Sequence, residues 1–182
     1  IEYLSEVQQY GLTSTISTQI ACRGTLKKIN PTLKFLKEQL LPVIAYESAR
    51  TLKLYPKLNA YFVNEGIFYH SAVNVGIAID LGKGLKVVKL ENTNEKSIGN
   101  IDAEIFELAS FYEDDKLQIS QISDVTFTIT DLSSYQVFDF KPLVNAQNSA
   151  ILGVSAIDAD SQKCNLSLTF DHRVTEIGRA HV

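Results

Sequence analysis

Leu166-Ser167-Leu168-Thr169-Phe170-Asp171-His172-Arg173-Val174-Thr175-Glu176 alternates apolar and polar side chains over its first five residues and then turns charged. Alternation of period two marks a half-buried strand. The run therefore predicts a strand whose end delivers His172 between an acid and an arginine. An imidazole with charged neighbours at a strand end is how a general base is commonly presented. The same triplet is equally compatible with a surface ion-pair cluster, so its meaning depends on the rest of the chain.

Upstream, Gly11 closes an opening helical stretch, and Leu12 to Cys22 alternates as a strand. Asn30-Pro31 has the form of a helix start, with asparagine as N-cap and proline in the first helical position. Leu33, Leu36, Leu40, Val43/Ile44 and Leu52 continue at helical spacing. Pro42 is expected to kink or restart that helix, because it lacks an N–H and its ring crowds the preceding turn. Tyr55-Pro56 closes the segment. Val73 to Asp80 and Leu85 to Leu90 read as two strands joined at Gly82-Lys83-Gly84, a hairpin. Asn94 to Glu113 is helical by the spacing of Ile98, Ile101, Ile105, Leu108 and Ala109. Val125–Leu132, Ala150–Ile157 and Asn165–Phe170 are further strands. Without repeats, low-complexity runs or linkers, this order predicts one α+β domain with a mixed sheet.

The chain has 182 residues, enough for one domain with a sizeable core. Its 45% hydrophobic and 21% charged content is that of a globular protein. A net charge of -4, with no basic stripe interleaved with aromatics, argues against a nucleic-acid partner. Lys27-Lys28 and the lysines from Lys34 to Lys37 read as a solvated helix face. No apolar run is long enough to span a membrane, and Leu40 to Ala45 is a core segment interrupted by proline. Cys22 and Cys164 lie far apart with no Cys-x-x-Cys spacing. They are expected as buried free thiols in a reducing cytoplasm, with a disulfide as the alternative. No signal peptide is recognisable, and a cytoplasmic location follows as an expectation.

The chain contains no methionine and opens mid-pattern at Ile1-Glu2-Tyr3-Leu4, so its N-terminus reads as a cut. Ile177-Gly178-Arg179-Ala180-His181-Val182 resembles a translated frame of a common DNA-sequencing adapter. The expected division is an incomplete domain over 1–176 and a read-through tail over 177–182.

Several segments resemble, in order, those of one family. Tyr55-Pro56-Lys57-Leu58-Asn59-Ala60 is similar to its Tyr-Pro-x-Leu-Asn-Ala element, and Val73 to Asp80 to the strand after it. Gly84-Leu85 opens the next hairpin arm. Thr126-Phe127-Thr128-Ile129-Thr130-Asp131-Leu132 is similar to a Thr-Phe-Thr-Ile-Ser-Asn-Leu segment. Pro142-Leu143-Val144-Asn145, Ala150-Ile151-Leu152-Gly153-Val154 and Asp171-His172-Arg173 follow. The chain from Ile1 to Glu176 thus resembles the catalytic domain of the dihydrolipoamide acyltransferase component of 2-oxo-acid dehydrogenase complexes. The resemblance implies a two-layer sandwich of a mixed β-sheet and helices, chloramphenicol acetyltransferase-like. It also implies a homotrimer or larger core assembly with active-site channels between subunits, and acyl transfer between CoA and a dihydrolipoamide thiol. The lipoyl group would come on a separate lipoyl domain, and the dehydrogenase components of the complex would be further partners.

A thiol is a weak nucleophile at neutral pH until a base removes its proton. His172 matches the family's catalytic histidine. His70 is the one rival outside the tail, and it reads as a structural or channel-lining residue. A tetrahedral intermediate needs a donor aimed at its oxyanion. Thr130 stands where the family has a serine for that role, although a threonine there also suits a strand. Asp131 replaces an asparagine, and strand alternation turns it away from Thr130.

Asp171, Arg173 and Glu176 are the supporting residues. Asp171 is read as fixing the loop, and Arg173 and Glu176 as orienting or ion-pairing groups or plain surface charge. Glu176 takes the place of the family's acid, while Ile177 stands where glycine is expected. Asn59 and Asn74 are explained as well by backbone satisfaction as by ligand contact. No CoA-contacting residue is assigned. Gly82-Lys83-Gly84 is a turn rather than a phosphate loop, and no cluster has metal-ligand spacing, so no metal is expected. Thr130, Asp131 and Val88 depart from the family pattern. They give weight to one alternative, a non-catalytic structural core; a second, a CoA-dependent transferase with a hydroxyl acceptor, keeps the fold and the histidine and changes only the acceptor.

Overall fold

The computed structural model describes residues 12–22 and 40–176. The opening helical stretch, the helix start at Asn30-Pro31 and the adapter-like tail lie outside these residues. The strands are β1 (Thr13–Ala21), β2 (Ala60–Val63), β3 (Gly66–Tyr69), β4 (Val75–Ile79), β5 (Lys86–Leu90), β6 (Phe127–Asp131), β7 (Ala150–Val154) and β8 (Lys163–Asp171). Two helices, α1 (Leu41–Leu54) and α2 (Ile98–Glu113), complete the described elements longer than a single turn. Six strands form one sheet in the order β1-β8-β7-β6-β4-β5, and β2 pairs with β3 separately. The β4–β6 and β6–β7 pairs are parallel and the others antiparallel, so the sheet is mixed as expected.

Register explains how the layers form. Cys164, Leu166, Leu168 and Phe170 of β8 share a face with Ile20, Ala150, Leu152, Val154, Phe127, Ile129, Val75 and Ile77. That face is apolar, and α1 and α2 cover it through Ile44, Ala45, Leu52, Ile101 and Leu108. The opposite face carries hydroxyls. Thr15 pairs with Thr169 at 2.8 Å and Ser17 with Ser167 at 2.9 Å. Thr128 donates to Asn148 Oδ1 at 2.7 Å and accepts from Asn145 Nδ2 at 2.9 Å.

Pro42 lies in the first turn of α1, where its missing N–H costs nothing. The helix ends at Leu54, just before Tyr55-Pro56. Periodicity placed the start of α2 at Asn94, but the helix begins four residues later. Asn92 has a left-handed φ of 45°, and buried Thr93 donates to the Leu90 carbonyl at 2.6 Å while accepting from Val75 N–H at 3.1 Å. Thr93 is thereby held to the strand ends, and Ser97 caps the helix by accepting from Asn100 N–H at 3.2 Å. The β2–β3 hairpin was not anticipated. Asn64 and Glu65 both take left-handed φ, 48° and 62°, as a two-residue turn of the primed type requires. Glutamate is a poor marker for that conformation, so Asn64 and Gly66 are its only sequence signal.

The Cys22 and Cys164 sulfurs lie 3.5 Å apart as buried free thiols. Burial, then the Cys22 thiol and the Asp131 carboxylate, push the Cys164 thiol up from 9.0 to about 12. A raised folded-state value means that this stability is complete below about pH 9 and is lost as pH rises towards 12. Urea unfolding free energy is expected to fall across that window, and Cys164→Ala to flatten the fall; an equal fall in the variant would remove the thiol as its cause. Gly76 is a second sensitive point, since an added Cβ would lie 2.5 Å from Cγ1 of both Val125 and Val87. Gly76→Ala is expected to cost about 1–3 kcal/mol in denaturant unfolding.

Candidate active site

His172 stands immediately beyond β8, solvent-exposed. Its N–H donates to the Leu12 carbonyl at 2.7 Å, and its ring leans on Phe170 with 4.9 Å between centroids. The turn that carries it is built by Asp171, a buried carboxylate whose own N–H donates to the Ser149 carbonyl at 2.8 Å. Asp171 Oδ1 accepts from the N–H of Arg173 at 2.9 Å and from its Nε at 3.0 Å, and Oδ2 accepts from Nη2 at 2.6 Å. Val174 N–H closes the turn onto the Asp171 carbonyl at 3.0 Å, and the Val174 side chain is buried. The acid and the arginine therefore pair with each other across the histidine, not with it. Asp171 holds the guanidinium proton more firmly than usual, through the hydrogen bond first and the charge second.

The guanidinium carbon of Arg173 also sits over the Phe62 ring of the hairpin, 4.6 Å from its centroid. Glu176 is exposed and is the last described residue of this segment. His70 is tied into the scaffold: its Nε2–H donates to the Gln147 carbonyl at 3.0 Å and its ring meets Tyr61 at 5.0 Å. Asn74 satisfies backbone at Asp124 and Asn92, at 3.0 and 2.9 Å. Asn59 donates to the Ala72 carbonyl at 2.9 Å, and its buried Oδ1 has no partner among the described residues.

Thr130 lies on the hydroxyl-bearing face of β6, half-buried between Ala78 and Gly153. No partner for its Oγ1 occurs among the described residues. Phe140 packs end-on against Gly153, where an added Cβ would meet the ring at 2.7 Å. Asp131 points to the helix side, as alternation requires. There its Oδ1 accepts from Ser133 N–H at 2.8 Å, and it lines a cleft with Asp80 and Asp102. Burial pushes the Asp102 carboxyl above its ordinary value.

Thr130 and His172 are not neighbours within one chain. Thr130 is level with Gly153, and Gly153 with Ser167, two strands away and five residues short of His172. At about 4.8 Å per strand and about 3.4 Å per residue, this places the two residues about 20 Å apart. No cluster of three metal-ligating side chains occurs among the described residues. None of their helices is long and apolar enough to cross a membrane.

A mixed six-stranded sheet with helices on its apolar face and a histidine at a strand end defines a two-layer α+β class. Chloramphenicol acetyltransferase shares that fold: it superposes at a TM-score of 0.57 with 7% identity, covering 97% of this chain and 87% of its own. The model of the family 2-oxoacid dehydrogenases acyltransferase (catalytic domain) matches residues 6–180, and the chain belongs to that family. The dihydrolipoyllysine-residue acetyltransferase component of the pyruvate dehydrogenase complex of Mycoplasma capricolum is 30% identical over 178 residues. That alignment takes in 91% of this chain and 41% of the relative, so the chain spans well under half the length of that protein.

A truncated catalytic core of the 2-oxoacid dehydrogenase multienzyme complex of Thermoplasma acidophilum superposes at a TM-score of 0.88 with 27% identity, covering 97% of this chain and 85% of its own. A dihydrolipoamide acetyltransferase of Azotobacter vinelandii superposes at 0.82 with 25% identity, covering 98% and 81%. That enzyme has been investigated for the role of a serine, a histidine and an asparagine in its catalytic mechanism.

The Asp171 carboxylate ties together the turn that presents His172. Asp171→Asn weakens its charge-assisted bonds and is expected to cost about 2 kcal/mol in urea unfolding. Asp171→Glu, with a longer stem, is expected to restore little of it.

Proposed function

We propose that this domain transfers an acyl group between CoA and a dihydrolipoamide thiol, with His172 as general base and Thr130 as oxyanion donor. The observation that carries this reading is the pair of half-sites at opposite ends of one sheet, an exposed imidazole and, about 20 Å away, a hydroxyl without a partner among the described residues. Each is idle alone. A homotrimer that sets the His172 end of one copy against the Thr130 face of the next makes a complete site in the channel between them. Membership of the acyltransferase family supports the same chemistry.

His172 takes the proton of the CoA thiol, and the thiolate attacks the thioester carbonyl of S-acyl-dihydrolipoamide, forming a C–S bond. The carbonyl oxygen becomes an oxyanion that accepts a hydrogen bond from the Thr130 hydroxyl. Collapse breaks the bond to the dihydrolipoamide sulfur, and that sulfur takes the proton back from the imidazolium. Asp171 and Arg173 hold the turn that aims the imidazole. Glu176, four residues beyond His172, is positioned along the chain to support it. The lipoyl group arrives on a separate lipoyl domain, and the assembly works beside the dehydrogenase components in the cytoplasm.

The test uses the full-length chain and follows thioester exchange between CoA and S-acetyl-dihydrolipoamide. His172→Ala is expected to lower kcat about 100- to 10,000-fold. Thr130→Ala is expected to lower it about 100- to 1,000-fold, with Thr130→Ser active. Co-assembling the His172→Ala and Thr130→Ala chains restores part of the rate, because some interfaces then hold both native residues. A full rate in His172→Ala overturns the base, and no recovery on co-assembly overturns the shared site. Acylation of a hydroxyl acceptor with no dihydrolipoamide activity would replace the acceptor.

A further inference from the structure

We propose that Phe62 is a positioning residue for His172, acting through Arg173; the inference rests on the reading of His172 as the base. Phe62 sits on β2, in a two-stranded hairpin that pairs with no other strand among the described residues. On one side the hairpin is braced by Tyr61, stacked on Phe68 at 5.7 Å and tilted against His70 at 5.0 Å, with His70 bonded to the Gln147 carbonyl. Alternation puts Phe62 on the other side with Ala60, which is fully buried. There its ring meets the Arg173 guanidinium at 4.6 Å.

The guanidinium is planar, and that shape lets it do two things at once. It gives Nε and Nη2 to the Asp171 carboxylate at 3.0 and 2.6 Å, while its central carbon sits over the Phe62 ring at 4.6 Å. Asp171 Oδ1 also accepts from the Arg173 N–H at 2.9 Å. Residues 171–173 thus form a closed loop with His172 at its apex. One wall of that loop is the guanidinium, and the outer side of the guanidinium is Phe62. Without a π-face there, the arginine loses the contact that keeps it from swinging into water, and the loop loosens. The base then samples positions away from the thiol it must deprotonate, and small displacements of a catalytic group are costly in rate.

The experiment compares full-length wild-type, Phe62→Leu, Phe62→Tyr and His172→Ala chains. Leucine keeps apolar bulk without a π-face, and tyrosine keeps both. Two readouts are taken: kcat and KM for thioester exchange, and backbone amide exchange of residues 172–175 by mass spectrometry. Phe62→Leu is expected to lower kcat about three- to tenfold with KM for both substrates within about twofold, and to speed amide exchange in the turn. Phe62→Tyr stays within about twofold of wild type in both. Wild-type values in Phe62→Leu, a loss confined to KM, or equal losses in the leucine and tyrosine variants overturn the proposal. Should His172→Ala keep the full rate, the base assignment falls, and the amide-exchange comparison still decides whether Phe62 holds the turn.

Discussion

Strand alternation in β8 is the constraint on which the rest of the molecule depends. Because successive side chains point to opposite faces, Cys164, Leu166, Leu168 and Phe170 go to the helices while Ser167 and Thr169 go to the hydroxyl face. A one-residue slip would exchange those faces, burying hydroxyls under α1 and exposing leucines. Since β8 lies between β1 and β7, its register also determines theirs. It further sets where the strand runs out, and therefore where His172 stands.

The same alternation divides the chemistry between the two faces. The helix side supplies burial, and Asp131 is kept there by its bond to Ser133 N–H. The hydroxyl side holds Thr128, tied to Asn145 and Asn148, and Thr130, with no partner among the described residues. The histidine end is organised differently. There a buried carboxylate and a half-buried guanidinium neutralise each other, leaving the imidazole of the residue between them exposed.

Much of this was legible in the residues. The alternating runs predicted β1 and β8, the Thr, Ile and Phe content of Val125–Leu132 predicted β6, and the turn at Gly82-Lys83-Gly84 predicted the β4–β5 hairpin. The start of α2 was misplaced because periodicity cannot register a Thr93 side chain captured by the ends of neighbouring strands. The β2–β3 hairpin escaped because Glu65 adopts a left-handed φ that its residue type does not advertise. At the site, Asp171 and Arg173 could be named from the motif. Their pairing with each other, and the Phe62 ring against the guanidinium, could not.

By itself the sequence determined the mixed α+β class, the strand that ends in a histidine, and the residue types able to move a proton and hold an oxyanion. Those are local matters, written in periodicity and side-chain chemistry. Only the tertiary structure decided that His172 and Thr130 lie at opposite ends of the sheet and that Asp171 is committed to Arg173. It also decided that the Phe62 ring, more than a hundred residues away on the hairpin, lies against the Arg173 guanidinium. Strand order and register join residues across long stretches of chain, and no local pattern records which distant side chain a strand will be laid beside.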